Sequence, residues 1–223
     1  MAVAYSNDNK KMTRINHVGY HTCKKNGGYE KVRNEIPFLS KSGTNQWLAQ
    51  GYYFWTDSPY WAKKWGKEGD RAIGKFTINL CRETELLDLV GNVAHSQHFE
   101  DLIKMIVDAI DSRHRENMTV NRAINFLRLL EKKPEKKGIF PYLAVKAQDS
   151  RYDGSLCFID VENGNPPILR LKQRQQMCVY EEARDKISLN CFIEPEEFVQ
   201  QHSLAQISSE SNEEIRSQKH AKF

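Results

Sequence analysis

The chain has 223 residues, of which 39% are hydrophobic and 28% are charged, and its formal net charge is +4. This composition predicts a globular protein and excludes an intrinsically disordered chain, while the mildly basic charge does not by itself identify a nucleic-acid binder. No apolar run reaches the roughly 18 residues that cross a bilayer, and residues 1–12 lack the apolar stretch of a secretory signal. We therefore expect a cytoplasmic protein with no membrane partner.

The first third of the chain predicts strands and one short helix. Residues 29–46 are typical of a loop with one helical turn. Ser58-Pro59 is a helix start signal, because serine caps a helix and proline suits its first position, and it predicts a helix over 59–67. Short β-prone or aromatic runs predict three strands, at residues 13–22, 50–55 and 73–80.

The middle of the chain predicts two amphipathic helices. Apolar residues fall on one helical face in 98–111 and again in 119–133. Pro134 ends the second helix, since proline lacks an amide donor and clashes with the preceding turn.

The last third predicts strands again. Residues 194–203 favour a final helix, and the polar chain from Gln206 onward is expected to fray. Strands, then two helices, then strands predict an α+β fold, with one domain over 1–205 and a flexible polar tail over 206–223. Four short β-prone runs are separated by turn residues, at 142–147, 156–160, 168–171 and 177–180.

The spacing of the cysteines and histidines does not predict a metal-binding site. The five cysteines are widely spaced, odd in number and without a C-x-x-C pair, so we expect reduced, buried thiols. His95 and His98 have i, i+3 spacing near a helix start, but no third ligand is close in sequence.

Three segments carry residues from which a site could be built. A histidine in a strand is usually a hydrogen-bonded structural residue, and paired tyrosines are usually core aromatics. Neither a G-x-G-x-x-G fingerprint nor a Walker phosphate loop is present, so those nucleotide sites are not supported. The segments are Gly19-Tyr20-His21-Thr22, then Gly51-Tyr52-Tyr53-Phe54-Trp55 followed by Ser58-Pro59, and Gln176-Met177-Cys178-Val179-Tyr180.

In this order the segments resemble the motifs of ADP-ribosyltransferases of the poly-ADP-ribose polymerase and diphtheria-toxin type. The resemblance covers residues 20–180, matches in detail only at the three motifs, and is most specific at the middle one. It implies an ADP-ribosyltransferase-like split β-sandwich with a helical insertion. We expect two small antiparallel sheets packed face to face, a cleft between them, and the helices of 98–133 on one side.

The resemblance also implies roles for residues, with His21, Tyr53 and Gln176 as the catalytic set converging on one cleft. His21 would hydrogen-bond a ribose hydroxyl of the adenosine half of NAD⁺, and Tyr53 would stack on the nicotinamide ring. Gln176 would hold the nicotinamide ribose, and backbone groups of Thr22 would bind the carboxamide. By strand alternation, Tyr52 should face the core.

Two residues depart from the family pattern. Thr22 stands where the family usually has glycine, so its side chain must point away from the ligand. Gln176 stands in place of glutamate, which removes a negative charge but keeps the capacity to hydrogen-bond a ribose hydroxyl. The second departure argues for single transfer, or for an inactive domain, and against polymer elongation.

The resemblance implies a mono-ADP-ribosyltransferase that uses NAD⁺ as co-substrate and modifies a macromolecule, with nucleic acid and protein equally open as acceptors. An inactive NAD⁺- or ADP-ribose-binding module and an NAD⁺ glycohydrolase stay open as alternatives. Analogy with family members would suit a toxin or an antiviral defence effector, with an antitoxin or inhibitor as partner.

Basic and aromatic clusters have two interpretations each. Lysines on the surface either keep the protein soluble or bind an anionic acceptor. Lys63, Lys64 and Lys67 follow the Tyr53 strand and are expected beside the cleft mouth. Glu181 and Glu182 are either exposed strand-end carboxylates or, with a shifted register, activators of a nucleophile. Further basic clusters are Lys132, Lys133, Lys136 and Lys137, and Arg170, Lys172 and Arg174.

Four tryptophans also lie close together in the sequence. They form either a packed cluster or a platform on which bases stack. These are Trp47, Trp55, Trp61 and Trp65.

Overall fold

The computed structural model describes residues 13–41, 43, 45–109, 118–160 and 164–220. Its strands are β1 (Arg14–Lys24), β2 (Tyr52–Thr56), β3 (Arg71–Cys81), β4 (Leu86–Asp88), β5 (Ala144–Gln148), β6 (Ser155–Cys157), β7 (Ile168–Arg170), β8 (Gln175–Val179) and β9 (Ile187–Glu194). Its helices are α1 (Gly28–Glu35), α2 (Tyr60–Lys64), α3 (Val93–Ala109), α4 (Val120–Glu131) and α5 (Glu196–His220), with 3₁₀ turns at Pro134–Lys136 and Glu181–Lys186.

Seven of these strands form a single sheet in the order β4-β5-β8-β2-β1-β3-β9, while β6 and β7 form a separate pair. All neighbours in the large sheet are antiparallel except β4 and β5. The α+β prediction is confirmed, but the expectation of two separate sheets is corrected. The sheet is continuous because β1 pairs along its whole length with β3 and also bonds to β2 on its other side.

The contact between β1 and β2 is short, and we call it the β1–β2 junction. Only two residue pairs form it, Gly19 with Thr56 and Tyr20 with Trp55. A Cβ atom on Gly19 would lie 2.8 Å from Cβ of Phe54 and 2.9 Å from Cδ1 of Ile78, so the core side of the junction has room only for glycine. Beyond Tyr20 the two strands diverge.

One face of the sheet carries the main core cluster. Phe54 of β2 and Phe76 of β3 meet edge to face across β1, with ring centroids 5.3 Å apart, and Met177, Val179 and Phe192 extend the cluster. Buried apolar side chains of this kind supply most of the stabilisation of such a fold, at about 25 cal/mol per Å² removed from water. The core therefore joins both sides of the β1–β2 junction.

The other face of the sheet is covered by α2, α3 and α4, and we call it the helix-covered face. Residues of α1 and α5 belong to the main core cluster instead. The inserted helices α3 and α4 lie in sequence between the neighbouring strands β4 and β5. Their apolar faces pack over Leu87, Val145 and Cys178, while α2 places Ala62 against Tyr20 and Trp55. Among the described residues, no helix has both the length and the apolar character needed to cross a membrane.

Strand β9 completes the sheet along the outer side of β3. Arg71 at the start of β3 and Glu194 at the end of β9 form a two-bond ion pair, with Nε–Oε2 at 2.8 Å and Nη2–Oε1 at 3.1 Å. Arg71 is only 8% exposed, so its charge depends on this carboxylate.

Element boundaries differ from the sequence prediction in a few places. The chain from 28 to 35 forms two helical turns instead of one, and α5 continues to His220 where a frayed tail was expected from Gln206. Strands β4 and β9 were not predicted. β4 is too short to show a period, whereas the alternation of Ile187, Leu189 and Cys191 in β9 is a strand signal that the sequence prediction missed. Residues 1–12, the last two residues of the predicted helix 98–111, and 221–223 lie outside the described residues.

Candidate functional site

A cleft of about 450 Å³ opens where β1 and β2 diverge beyond their junction. Burial raises the pKa of the Cys23 thiol to about 12, so this cysteine is not a thiolate nucleophile. The cleft is lined by His21, Thr22, Cys23 and Lys24 of β1, Asn26, Lys31 and Glu35 from around α1, Phe38, Leu39 and Ser40 of the following loop, and Tyr53 of β2.

His21 is buried and fully hydrogen-bonded to the backbone. Phe38 N–H donates to its Nε2 at 3.3 Å, and its Nδ1 lies 2.9 Å from the carbonyl oxygen of Tyr53. Because Nε2 accepts, we assign the proton to Nδ1, which donates to that carbonyl. Burial lowers the pKa of His21 to about 4, which keeps the ring neutral at physiological pH.

The hydrogen bonds of His21 leave neither ring nitrogen free for the ribose hydroxyl that it was predicted to bind. Its Nε2, the atom that would meet a ligand hydroxyl, is occupied by the Phe38 amide. A ligand reaches Nε2 only if the loop at Phe38 moves. The ring instead holds the Tyr53 carbonyl, and so fixes the relation between β1 and β2 at the cleft.

Thr22 is the first position of β1 at which backbone groups face the cleft. Val18 O accepts from Asp57 N at 3.0 Å, so even-numbered residues of β1 direct their backbone groups toward β2. A continued ladder would pair Thr22 with Tyr53, but the strands have diverged there and the Tyr53 carbonyl is held by His21. We therefore infer that the N–H and C=O of Thr22 face this gap, side by side.

The Thr22 side chain leaves this gap free, as the sequence predicted it must. Its hydroxyl donates to the carbonyl of Ala62 in α2 at 3.1 Å. A threonine is therefore compatible with a backbone binding site here, because the bulk that distinguishes it from glycine packs against another element.

Tyr53 lines the cleft, but its ring packs toward the helix-covered face. Its hydroxyl donates to Ala49 O at 2.7 Å and accepts from Leu48 N at 2.9 Å, and burial raises its pKa. Tyr52 is buried in the main core beside Phe54, as strand alternation predicted.

Gln176 does not line the cleft. It pairs with Trp55 and Ala147 in the sheet, two ladder positions from the pair formed by Tyr53 and Cys178. Diagonal neighbours of this kind share a face and lie roughly 7–8 Å apart. Tyr53 and Gln176 are thus neighbours on the helix-covered face.

The predicted convergence of three side chains on one cleft is not found: His21 and Tyr53 line the cleft, and Gln176 does not. His21 contacts Phe54 and Phe76 on the main core face, whereas the side chains of Tyr53 and Gln176 lie on the opposite face. Sequence alone could not show this, since the faces depend on a pairing register between segments far apart in the chain.

The predicted lysines are also placed differently. Lys63, Lys64 and Lys67 do not line the cleft, whose lysines are Lys24 and Lys31. Lys64 pairs with Asp153 at 2.6 Å and Lys67 with Asp70 at 3.5 Å. The four lysines between 132 and 137 are exposed around a 3₁₀ turn, as expected for a loop.

Other candidate residues have structural partners. The Glu182 side chain is 52% exposed and accepts two bonds from Arg128 Nη2, at 2.8 and 2.9 Å, which supports the interpretation of an exposed carboxylate. His95 Nδ1 accepts from Asp88 N at 3.0 Å, and His95 and His98 both pack on Tyr142. Within the described ranges no three metal-ligating side chains come together.

Comparison of the chain with models of protein families, with curated proteins and with solved structures gives no match. The functional argument therefore depends on the cleft itself.

Proposed function

We propose that this protein is an NAD⁺-dependent mono-ADP-ribosyltransferase and that the cleft at the β1–β2 junction takes the nicotinamide end of NAD⁺. The observation that carries the proposal is the interrupted ladder at Thr22. A primary carboxamide offers a carbonyl acceptor and an N–H donor side by side, which is the complement of one residue's free N–H and C=O.

The dimensions and lining of the cleft suit such a ligand. Its volume, about 450 Å³, falls in the range of small-molecule sites, and its walls include Phe38, Leu39 and Tyr53. Lys24 and Lys31 lie on the same lining and supply positive charge for a pyrophosphate. The order of the three sequence motifs and the α+β sheet with inserted helices agree with the same proposal.

The proposal gives His21 a positioning role. By holding the Tyr53 carbonyl it keeps the β1–β2 ladder open, which leaves Thr22 free for the ligand. Movement of the loop at Phe38 would free Nε2 for a ribose hydroxyl. The proposed contact between His21 and a ribose hydroxyl therefore requires the loop at Phe38 to move when NAD⁺ binds.

In the reaction, the bond between nicotinamide nitrogen and the ribose anomeric carbon breaks. Its electron pair leaves with nicotinamide, which becomes neutral, and positive charge develops on the ribose. The acceptor's nucleophilic atom then bonds to the anomeric carbon and loses its proton to solvent. The protein contributes mainly positioning and electrostatics through the residues that line the cleft.

A second function, binding of NAD⁺ or ADP-ribose without transfer, is favoured by the division of side chains between two faces. Tyr53 and Gln176 lie on the helix-covered face, and Gln176 carries no charge to stabilise an oxocarbenium-like ribose. NAD⁺ hydrolysis is the third outcome, in which water takes the place of the acceptor.

Calorimetric titration with two dinucleotides tests the carboxamide site. We expect NAD⁺ to bind about 10-fold more tightly than its nicotinic acid analogue, because that carboxylate has no N–H for the Thr22 carbonyl and leaves a polar group unpaired. Equal affinity for the two would contradict the proposed site.

Nicotinamide release then separates the functions. Release that depends on added cell extract supports transfer to a macromolecule, and release without extract indicates hydrolysis. Tight binding of NAD⁺ with no release in either condition supports the binding module.

A further inference from the structure

A second pocket, of about 320 Å³, lies at the other end of β2, and we call it the cationic pocket. It is formed by two segments that are distant in sequence, the turn from β2 into α2 and the segment that enters β8. Its lining residues are Thr56, Asp57, Ser58, Tyr60 and Trp61 from the first segment and Arg170, Lys172, Gln173 and Gln175 from the second.

The two segments are held together by the indole of Trp61. Its Nε1–H lies 3.1 Å from the carbonyl oxygens of both Lys172 and Gln173. Lys172 has φ 49°, a left-handed conformation that is costly for a residue with a side chain. This turn places the Lys172 ammonium 5.1 Å from the centre of the Tyr60 ring, so the side chain is directed over the pocket.

The charges at the pocket do not balance. Lys64 pairs with Asp153, which also accepts from Tyr60, and this contact with Lys64 lowers the pKa of Asp153 to about 2. Asp57 is 3.6 Å from Lys146. Arg170 and Lys172 form no ion pair with any described carboxylate, although the charge of Lys172 also acts on Asp153 and helps to lower its pKa. The positive charges at the rim therefore outnumber the negative ones.

Arg170 also lies over an exposed aromatic ring. Its guanidinium carbon is 5.3 Å from the ring centre of Tyr152, which is 43% exposed. A cation beside an accessible aromatic face suits a ligand that alternates phosphates with planar bases. The hydroxyls of Thr56 and Ser58 and the amides of Gln173 and Gln175 add neutral hydrogen-bonding groups.

We infer that the cationic pocket binds the backbone of a single-stranded nucleic acid, which serves as the acceptor of ADP-ribose. The acceptor role rests on the proposed function, whereas the binding does not. Tyr53 lines the cleft and Thr56 lines the pocket, three residues apart on β2, which is about 10 Å. The pocket and the cleft are therefore neighbours along β2.

The shape of the pocket favours a single strand. A concavity of about 320 Å³ admits one nucleotide that is free of base pairing, but not the convex cylinder of a duplex. An acidic peptide shares the negative charge but lacks planar bases for the ring of Tyr152.

Fluorescence anisotropy with a labelled 12-nucleotide RNA, a DNA of the same sequence and the matching duplex tests this inference without NAD⁺. The test variant carries Arg170→Glu and Lys172→Glu, and the control carries Lys133→Glu and Lys136→Glu, which change the net charge equally at a remote loop. We expect the test variant to bind the single strands about 10-fold more weakly, and the control about as well as the unmodified protein.

The salt dependence gives a second readout. The magnitude of the slope of log affinity against log salt should fall by about 1.4 in the test variant, since two phosphate contacts at about 0.7 each are lost for a single strand. Equal losses in both variants, preferred binding of the duplex, or equal competition by poly-glutamate would overturn the inference.

Nicotinamide release separates the two proposals. If the oligonucleotides bind but no nicotinamide is released, nucleic-acid binding at the cationic pocket is supported and the transferase proposal is contradicted. If release depends on protein extract and the oligonucleotides do not bind, the transferase proposal is supported and nucleic-acid binding is contradicted. NAD⁺ affinity, measured by calorimetry, should be the same in the test variant and the unmodified protein.

Discussion

The cleft and the cationic pocket lie at the two ends of one short strand, β2, yet they present different chemistry to a ligand. The cleft offers backbone groups of Thr22 beside a neutral, hydrogen-bonded His21. The pocket offers the charges of Arg170 and Lys172, which form no ion pair with a carboxylate in the described part of the chain, around aromatic rings. Recognition by backbone geometry should depend on the fold of the junction, whereas recognition by charge should depend on salt.

The largest effect is expected from His21→Ala. It leaves the Phe38 N–H and the Tyr53 carbonyl without partners and creates a cavity among Phe38, Phe54 and Phe76. We expect a loss of about 4 kcal/mol in the free energy of unfolding, measured in denaturant. His21→Gln is the matched control, since its amide has both a donor and an acceptor. A loss below about 1 kcal/mol in His21→Ala would show that the ring does not hold the junction together.

The next effect is a pH dependence of stability. The folded chain keeps His21 neutral, with its pKa lowered to about 4 from 6.5, while the unfolded chain takes up a proton below pH 6.5. Stability is therefore complete above pH 6.5 and falls by up to about 3 kcal/mol as the pH drops through 4. Burial lowers the pKa of His17 and of His95 too, so both add to this slope.

His21→Gln isolates the contribution of His21 to the pH dependence. Unfolding of this variant and of the unmodified protein should be compared from pH 7.5 to 4. The difference between their free energies of unfolding should change with pH, and parallel curves would contradict the buried neutral histidine.

A smaller effect is expected from Gly19→Ala at the β1–β2 junction. The new methyl group would clash with Phe54 and Ile78, and forcing it into a packed core costs about 2 kcal/mol. NAD⁺ affinity should fall in parallel, while oligonucleotide binding at the cationic pocket should not. Gly43→Ala is the control, because nothing lies within 4 Å of its added Cβ. Equal stability of the two variants would contradict the steric argument.

The smallest effect is expected from Lys31→Gln in the cleft. An exposed charge of this kind changes affinity by about two-fold, so NAD⁺ should bind slightly more weakly and oligonucleotides unchanged. Titration of both ligands checks this prediction. A larger loss of oligonucleotide than of NAD⁺ binding would place the nucleic acid in the cleft instead.

The local part of the fold could be predicted from sequence. The repeat of apolar residues predicted β1, β3 and the helices α3 and α4, because each of these elements is long enough to show it. The short strand β2 was predicted from its run of aromatic residues. The order of strands and helices was sufficient for the α+β class.

The parts that were missed depend on contacts between distant segments. The position of Gln176 is set by its pairing with Trp55, and the occupied Nε2 of His21 is set by the loop at Phe38. The charges of Arg170 and Lys172 are visible in sequence, but the indole of Trp61 that holds their segment is more than 100 residues earlier. Neither composition nor periodicity contains such information.

The pairing of β9 with β3 has a consequence for synthesis of the chain on the ribosome. Glu194 follows its partner Arg71 by 123 residues, so β3 must emerge long before the strand that covers its outer edge. Until then the nascent polypeptide presents an uncovered row of amides and carbonyls next to Phe76 and Ile78, a template for intermolecular aggregation. Production of this protein should therefore be most sensitive to chaperone supply while the chain between β3 and β9 is translated.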